Sequence, residues 1–160
     1  MSINIFGLTG IKPQKMTSKC PVGYLSHKPE INGFTIMASS NSETVLNVFR
    51  ETDHKWISQE ASLSWIRIRC PHAIKLWSVG LHGTEENSDT MYNITIKGSN
   101  DGSSFESISA HYCRLLNEFV LLDIDNKNIP SYGVISVAFR SGSDTVRVCL
   151  KKLQLYVYNE

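Results

Sequence analysis

Residues 82–89 read His-Gly-Thr-Glu-Glu-Asn-Ser-Asp, which sets an imidazole, three carboxylates, two hydroxyls and a side-chain amide in one short polar run. Glu85, Glu86 and Asp89 invite an acid–base reading. Such work needs two groups held apart in different environments, one kept protonated and one ionised. Adjacent acids on a loop more simply make a solvated tip, and no partner acid is recognisable. Nucleophile and metal signatures are missing as well: there is no Gly-x-Ser-x-Gly, no His-Glu-x-x-His and no phosphate-cradling glycine loop. The histidines at 27, 54, 72, 82 and 111 share no spacing that would put two on one face of an element. His82 stands out because it ends an apolar stretch and opens the polar run. Catalysis is not expected.

Cys20, Cys70, Cys113 and Cys149 form no Cys-x-x-Cys pair and have no histidine at zinc-ligand spacing. Cys70 and Cys149 fall in apolar strand patterns, where a small buried thiol fits, so reduced cysteines are expected. Trp56, Trp65 and Trp77 lie in or beside apolar stretches and read as core residues. No aromatic falls within 84–90 or 141–145, so a ring for stacking on a sugar would have to come from another element.

The elements that must position these groups are strands. Tyr92, Ile94 and Ile96 alternate with Asn93, Thr95 and Lys97, the period of a half-buried strand, and Asn100-Asp101-Gly102 supplies a tight turn before Phe105 and Ile108 resume. Further strands are predicted over 34–38, 63–70, 74–81, 119–124, 133–139 and 146–158. Ser42 is the expected N-cap of one short helix over 44–49. Many short strands, turns rich in Gly, Ser and Asn, and one helical candidate indicate an all-β sandwich or barrel.

The 160 residues suit one domain, with residues 1–32 as an arm or linker and 33–160 as the folded unit. The arm is rich in Pro and Gly, and Lys12, Lys15, Lys19 and Lys28 precede its first acid, Glu30. A net charge of +1 argues against non-specific nucleic-acid binding, which needs a clustered basic face. No stretch is long and apolar enough to insert in a membrane, and no signal peptide is apparent, so synthesis in the cytoplasm or a start within a longer surface or virion protein is expected.

Four motifs arrive in order: Lys55-Trp56-Ile57-Ser58, Leu63-Ser64-Trp65-Ile66-Arg67-Ile68, Gly98-Ser99-Asn100-Asp101-Gly102 with Phe105, and Leu153-Gln154-Leu155-Tyr156. Over residues 33–158 the chain resembles the discoidin, or coagulation factor V/VIII type C, galactose-binding-like domains. The resemblance implies a jelly-roll β-sandwich of about eight antiparallel strands. It also implies a non-catalytic recognition or adhesion module whose ligand sits on loops at one end. Cell-surface carbohydrate or another glycoconjugate is the expected partner, with the chain serving as an attachment module of a larger or homo-oligomeric assembly. A protein–protein scaffold that binds no sugar is the alternative. By the same resemblance His82, Asn87 and Arg140 would contact the ligand, with Glu85 or Arg147 assisting. The family's structural calcium is not expected to bind tightly. Its Asp-Gly is missing around Asn47-Val48-Phe49, which leaves Asp53 as the nearest aspartate.

Overall fold

The computed structural model describes residues 34–49, 53–124 and 128–158; the arm expected at 1–32 lies outside them. Ten strands run in chain order: β1 Thr35–Ala38, β2 Trp56–Ile57, β3 Leu63–Ile74, β4 Leu76–His82, β5 Met91–Ser99, β6 Glu106–Arg114, β7 Phe119–Asp123, β8 Tyr132–Arg140, β9 Cys149–Leu150 and β10 Lys152–Val157. Every pairing is antiparallel. One sheet is ordered β1-β3-β8-β5-β6, a second β10-β4-β7, and β2 pairs with β9 as a two-stranded ribbon.

The alternation in β3, β5 and β8 explains the layering. Ile66, Ile68, Ile94, Ile96, Ile135 and Val137 are fully buried on one side of the five-stranded sheet. They join Leu76, Val79, Leu81, Leu153 and Leu155 of the three-stranded sheet and Trp56 of the ribbon in one apolar cluster. Each such side chain contributes about 1.5–3 kcal/mol on burial, so the sandwich is held from both sheets at once.

Residues 92–105 form the expected hairpin. Gly102 takes a positive φ of 79°, and Asp101 Oδ1 accepts the amides of Ser103 and Ser104 at 2.7 and 2.8 Å. Those amides and the Ser99 hydroxyl hold the Asp101 carboxyl down at about 2, so its role is turn geometry.

Two expectations change. The helix is a 3-10 segment, Ser42–Phe49, with Ser42 inside it: the Ser42 hydroxyl turns back to the Ala38 carbonyl at 3.2 Å, and Thr44 N–H bonds to Asn41 O. The stretch 146–158 is two strands, because Lys151 interrupts the pairing between β9 and β10. That interruption matters for the site.

Candidate functional site

β4 delivers His82 to one end of the sandwich. The next residue, Gly83, is buried, and a Cβ there would lie 2.5 Å from the Leu115 carbonyl oxygen. Only glycine lets the 115–118 segment lie so close. That contact brings Asn117 beside His82, with Oδ1 and Nε2 3.1 Å apart. Lys151 completes the cluster from the break between β9 and β10. Its backbone amide donates to the His82 carbonyl at 2.8 Å, and its Nζ donates to Asn117 Oδ1 at 2.9 Å. An amide oxygen only accepts, so His82 also donates and carries its proton on Nε2.

Across from this cluster Lys55, just ahead of β2, reaches Glu86 Oε1 at 2.7 Å. Lys55, Thr84, Glu85, Glu86, Asn117 and Lys151 line an open cleft of about 600 Å³. The Lys55 ammonium, with the adjacent Thr84 hydroxyl adding to it, holds the Glu86 carboxyl down at about 2, and Glu86 in turn raises Lys55 above its ordinary value. Glu86 is therefore an ionised acceptor, not a proton donor, at neutral pH. Thr84 is 3% exposed, and its Oγ1 meets no partner at full hydrogen-bond geometry. The cleft thus offers ammonium donors, carboxylate acceptors and an amide, with two opposite charges already cancelling. Such a set suits a neutral ligand rich in hydroxyls.

Of the residues proposed from sequence, His82 and Glu85 belong to this end, Glu85 lining the cleft and His82 backing Asn117. Asn87 does not face it. The side chain is 1% exposed, its Nδ2 donates to the Cys149 carbonyl, and its Oδ1 lies 3.3 Å from the Cys149 amide. One amide thereby satisfies both main-chain groups of Cys149, as a neighbouring strand would. The Tyr92 hydroxyl sits 3.0 Å from Asn87 Oδ1 and 2.9 Å from the Arg147 carbonyl, and burial pushes its pKa up to about 12. The runs 82–91 and 141–148 do meet, but through this buried network and not through a pocket.

Arg140 and Arg147 do not line the cleft. Arg140 is exposed on the outside of the five-stranded sheet, paired in register with Leu63 and Asn93. Arg147 is exposed and reaches Glu60 at 3.4 Å. The amides ahead of β2 have main-chain partners. Asn47 Nδ2 donates to the Lys55 carbonyl at 3.0 Å and Asn41 Nδ2 to the Ile57 carbonyl at 2.7 Å. Among the described residues no three of His, Cys, Asp or Glu converge on a metal site.

Sequence reasoning did not single out Asn117, Lys151, Lys55 or Phe119. Phe119 is 42% exposed, pairs in register with His82, and lays its ring across Gly80, where a Cβ would be 2.2 Å from the ring. It is an exposed aromatic at the end of the sandwich that carries His82, where the loops at 84–90 and 141–145 contain none. For Lys151 a signal was available: Lys151-Lys152 breaks the alternation of the closing strand.

No protein-family model and no curated protein matches the chain. Several solved structures are similar in fold. The family 32 carbohydrate-binding module of AlyQ in complex with 4,5-unsaturated mannuronic acid superposes with a TM-score of 0.62 at 12% identity, over 76% of this chain and 93% of that one. A Clostridium perfringens family 32 module in complex with GalNAc-β-1,3-galactose gives 0.61 at 14% identity, over 77% and 94%. A family 89 glycoside hydrolase of Clostridium perfringens matches with a TM-score of 0.58 at 19% identity, over 79% of this chain and 14% of that one. The chain has the galactose-binding-like β-sandwich fold that these carbohydrate-binding modules share.

Proposed function

We propose that the chain is a non-catalytic carbohydrate-recognition module that binds a neutral glycan in the cleft lined by Lys55, Thr84, Glu85, Glu86, Asn117 and Lys151. The observation that carries this reading is the side-chain set of the cleft, donors and acceptors in near balance; the exposed Phe119, in register with His82 and with its ring over Gly80, is an aromatic on the adjoining sheet. A sugar presents hydroxyls that both donate and accept, and an apolar ring face that packs on an aromatic. The compared modules of the same fold, one in complex with GalNAc-β-1,3-galactose and one with 4,5-unsaturated mannuronic acid, support a saccharide ligand, and its neutrality is inferred from the balanced charges of the cleft. Lys55 pairs with Glu86 and keeps it ionised, so Glu86 does not act as the acid that would protonate a leaving group there.

A glycan array probed with the full chain tests the proposal. Binding to one or more neutral saccharides is expected. In Asn117→Ala/Lys151→Ala it should fall about tenfold or more, since a hydrogen bond to a charged group is worth about 1.5–3 kcal/mol. An empty array, or binding unchanged in the double variant, would overturn it.

A further inference from the structure

The outside of the five-stranded sheet has no part in the cleft, and its side chains are unusual in charge. Register places Arg69 beside Val134, Arg67 beside Ser136 and Lys97, Arg140 beside Asn93 and Tyr112, and Arg114 beside Met91. Arg69, Lys97, Arg114 and Arg140 are exposed and Arg67 partly so. Strands β1, β3, β5 and β8 contain no Asp or Glu at all, and β6 contains only Glu106. None of the five cations is in an ion pair among the described residues, where the two pairs are Lys55–Glu86 and Arg147–Glu60. Five like charges therefore share one face of a chain whose net charge is only +1. Their repulsion costs stability unless something negative neutralises it.

Part of this face is preset. The Arg67 guanidinium carbon lies 4.1 Å from the Trp65 ring centre and 4.7 Å from that of Phe105, and its buried Nε has no hydrogen-bond partner. Arg67, Arg69, Thr35, Met37, Gly102 and Val134 enclose a pocket of about 30 Å³. That is about the volume of one water molecule, enough to seat an oxygen of an oxyanion between two guanidinium forks. Asp101 at the nearby turn does not fill the role, because Oδ1 is taken by its own loop amides.

We propose that this face is a second binding surface, for an anionic polysaccharide bearing sulfate or carboxylate groups, with the Arg67–Arg69 pocket as its anchor. Arg67 and Lys97 stand two strand spacings apart, about 10 Å, and Arg140 lies about 13 Å along β8 from the Arg67 row. Such spacing suits a chain of charges, not a single ion. Between the cations the outward positions hold Thr35, Asn93 and Thr95, small groups that can meet sugar hydroxyls. Single-stranded nucleic acid fits less well, since it stacks successive bases on several rings, and here Trp65 and Phe105 both pack against Arg67, which leaves Tyr112, 71% exposed, as a single free ring among the described residues of this face.

Immobilised heparin and polygalacturonate, with dextran as the neutral control, test this with the full chain. Retention on both polyanions at low salt is expected, with none on dextran. Arg69→Gln/Lys97→Gln should bind heparin about tenfold more weakly and lower the slope of log affinity against log salt by about 2, at a melting temperature no lower than that of the wild type. Lys75→Gln, whose ammonium packs on Tyr158, should bind as the wild type does. Loss of neutral-glycan binding in Asn117→Ala/Lys151→Ala should leave heparin retention intact, so the two surfaces fail separately. No retention on either polyanion, retention indifferent to Arg69→Gln/Lys97→Gln, or displacement of heparin by an equal charge of oligothymidylate would overturn the proposal.

Discussion

Asn87 shows how a side chain of binding type becomes part of the frame. A polar loop with a histidine at its start and an amide within it looks like a ligand-contacting set, yet the amide turns inward and completes the hydrogen bonding of Cys149. Asn87→Ala would leave that amide and carbonyl buried and unpaired, so a loss of about 2–4 kcal/mol in denaturant unfolding is expected. The Lys55–Glu86 pair behaves differently, being partly exposed. Glu86 has its pKa depressed from 4.5 to about 2, so the pair's stabilisation is present above pH 4.5 and is lost as pH falls toward 2. Lys55 is raised above 10.5, so its side of the pair is present below 10.5 and lost as pH rises beyond it. Side-chain exposures of 34% and 53% limit the contribution to about 1 kcal/mol or less. Comparing wild type with Glu86→Gln by urea unfolding from pH 6 down to pH 2 checks this: the difference should shrink on acidification, and a difference that grows would contradict it.

Strands carry these residues to their places, and most of them are legible as period-2 runs. Tyr92, Ile94 and Ile96 are buried and Asn93 and Lys97 are exposed, as their alternation implies, because one face of β5 packs on the core while the other meets solvent. The break at Lys151 shows in the sequence only as the Lys151-Lys152 pair, because there the chain passes from pairing with β2 to pairing with β4 while the apolar runs on both sides stay intact. The cleft escapes the pattern for another reason. Its walls come from residues near 55, 84–86, 117 and 151, and nothing in a linear pattern reports that 115–118 leans on Gly83. That contact makes its own prediction. Gly83→Ala must push the Leu115 backbone away from a Cβ built 2.5 Å from its oxygen, and Asn117 moves with it. Glycan binding should therefore fall at least as far as in Asn117→Ala, with a measurable drop in melting temperature. Binding at wild-type strength would mean that this segment does not position the site.

At the scale of the molecule, the sandwich separates two chemistries that the net charge of +1 conceals. One end holds a mixed-charge cleft, and the outside of one sheet holds cations almost alone. Composition averages over both, which is why a near-neutral chain gave no hint of a basic face. Five-stranded and three-stranded sheets with a shared core account for the likeness to carbohydrate-binding modules at identities of only 12% to 19% in the structures compared. Core alternation survives at that distance, whereas the residues at the ends of strands are those in which modules of one fold differ. The assignment of function therefore rests on the cleft, and the most direct test is to watch it. Backbone amide chemical shifts of the labelled chain, titrated with a neutral saccharide that binds on the array, should move first at Lys55, Thr84, Glu85, Glu86, Asn117, Phe119 and Lys151. Shifts confined to residues 141–147, or to the outside of the five-stranded sheet, would contradict the account.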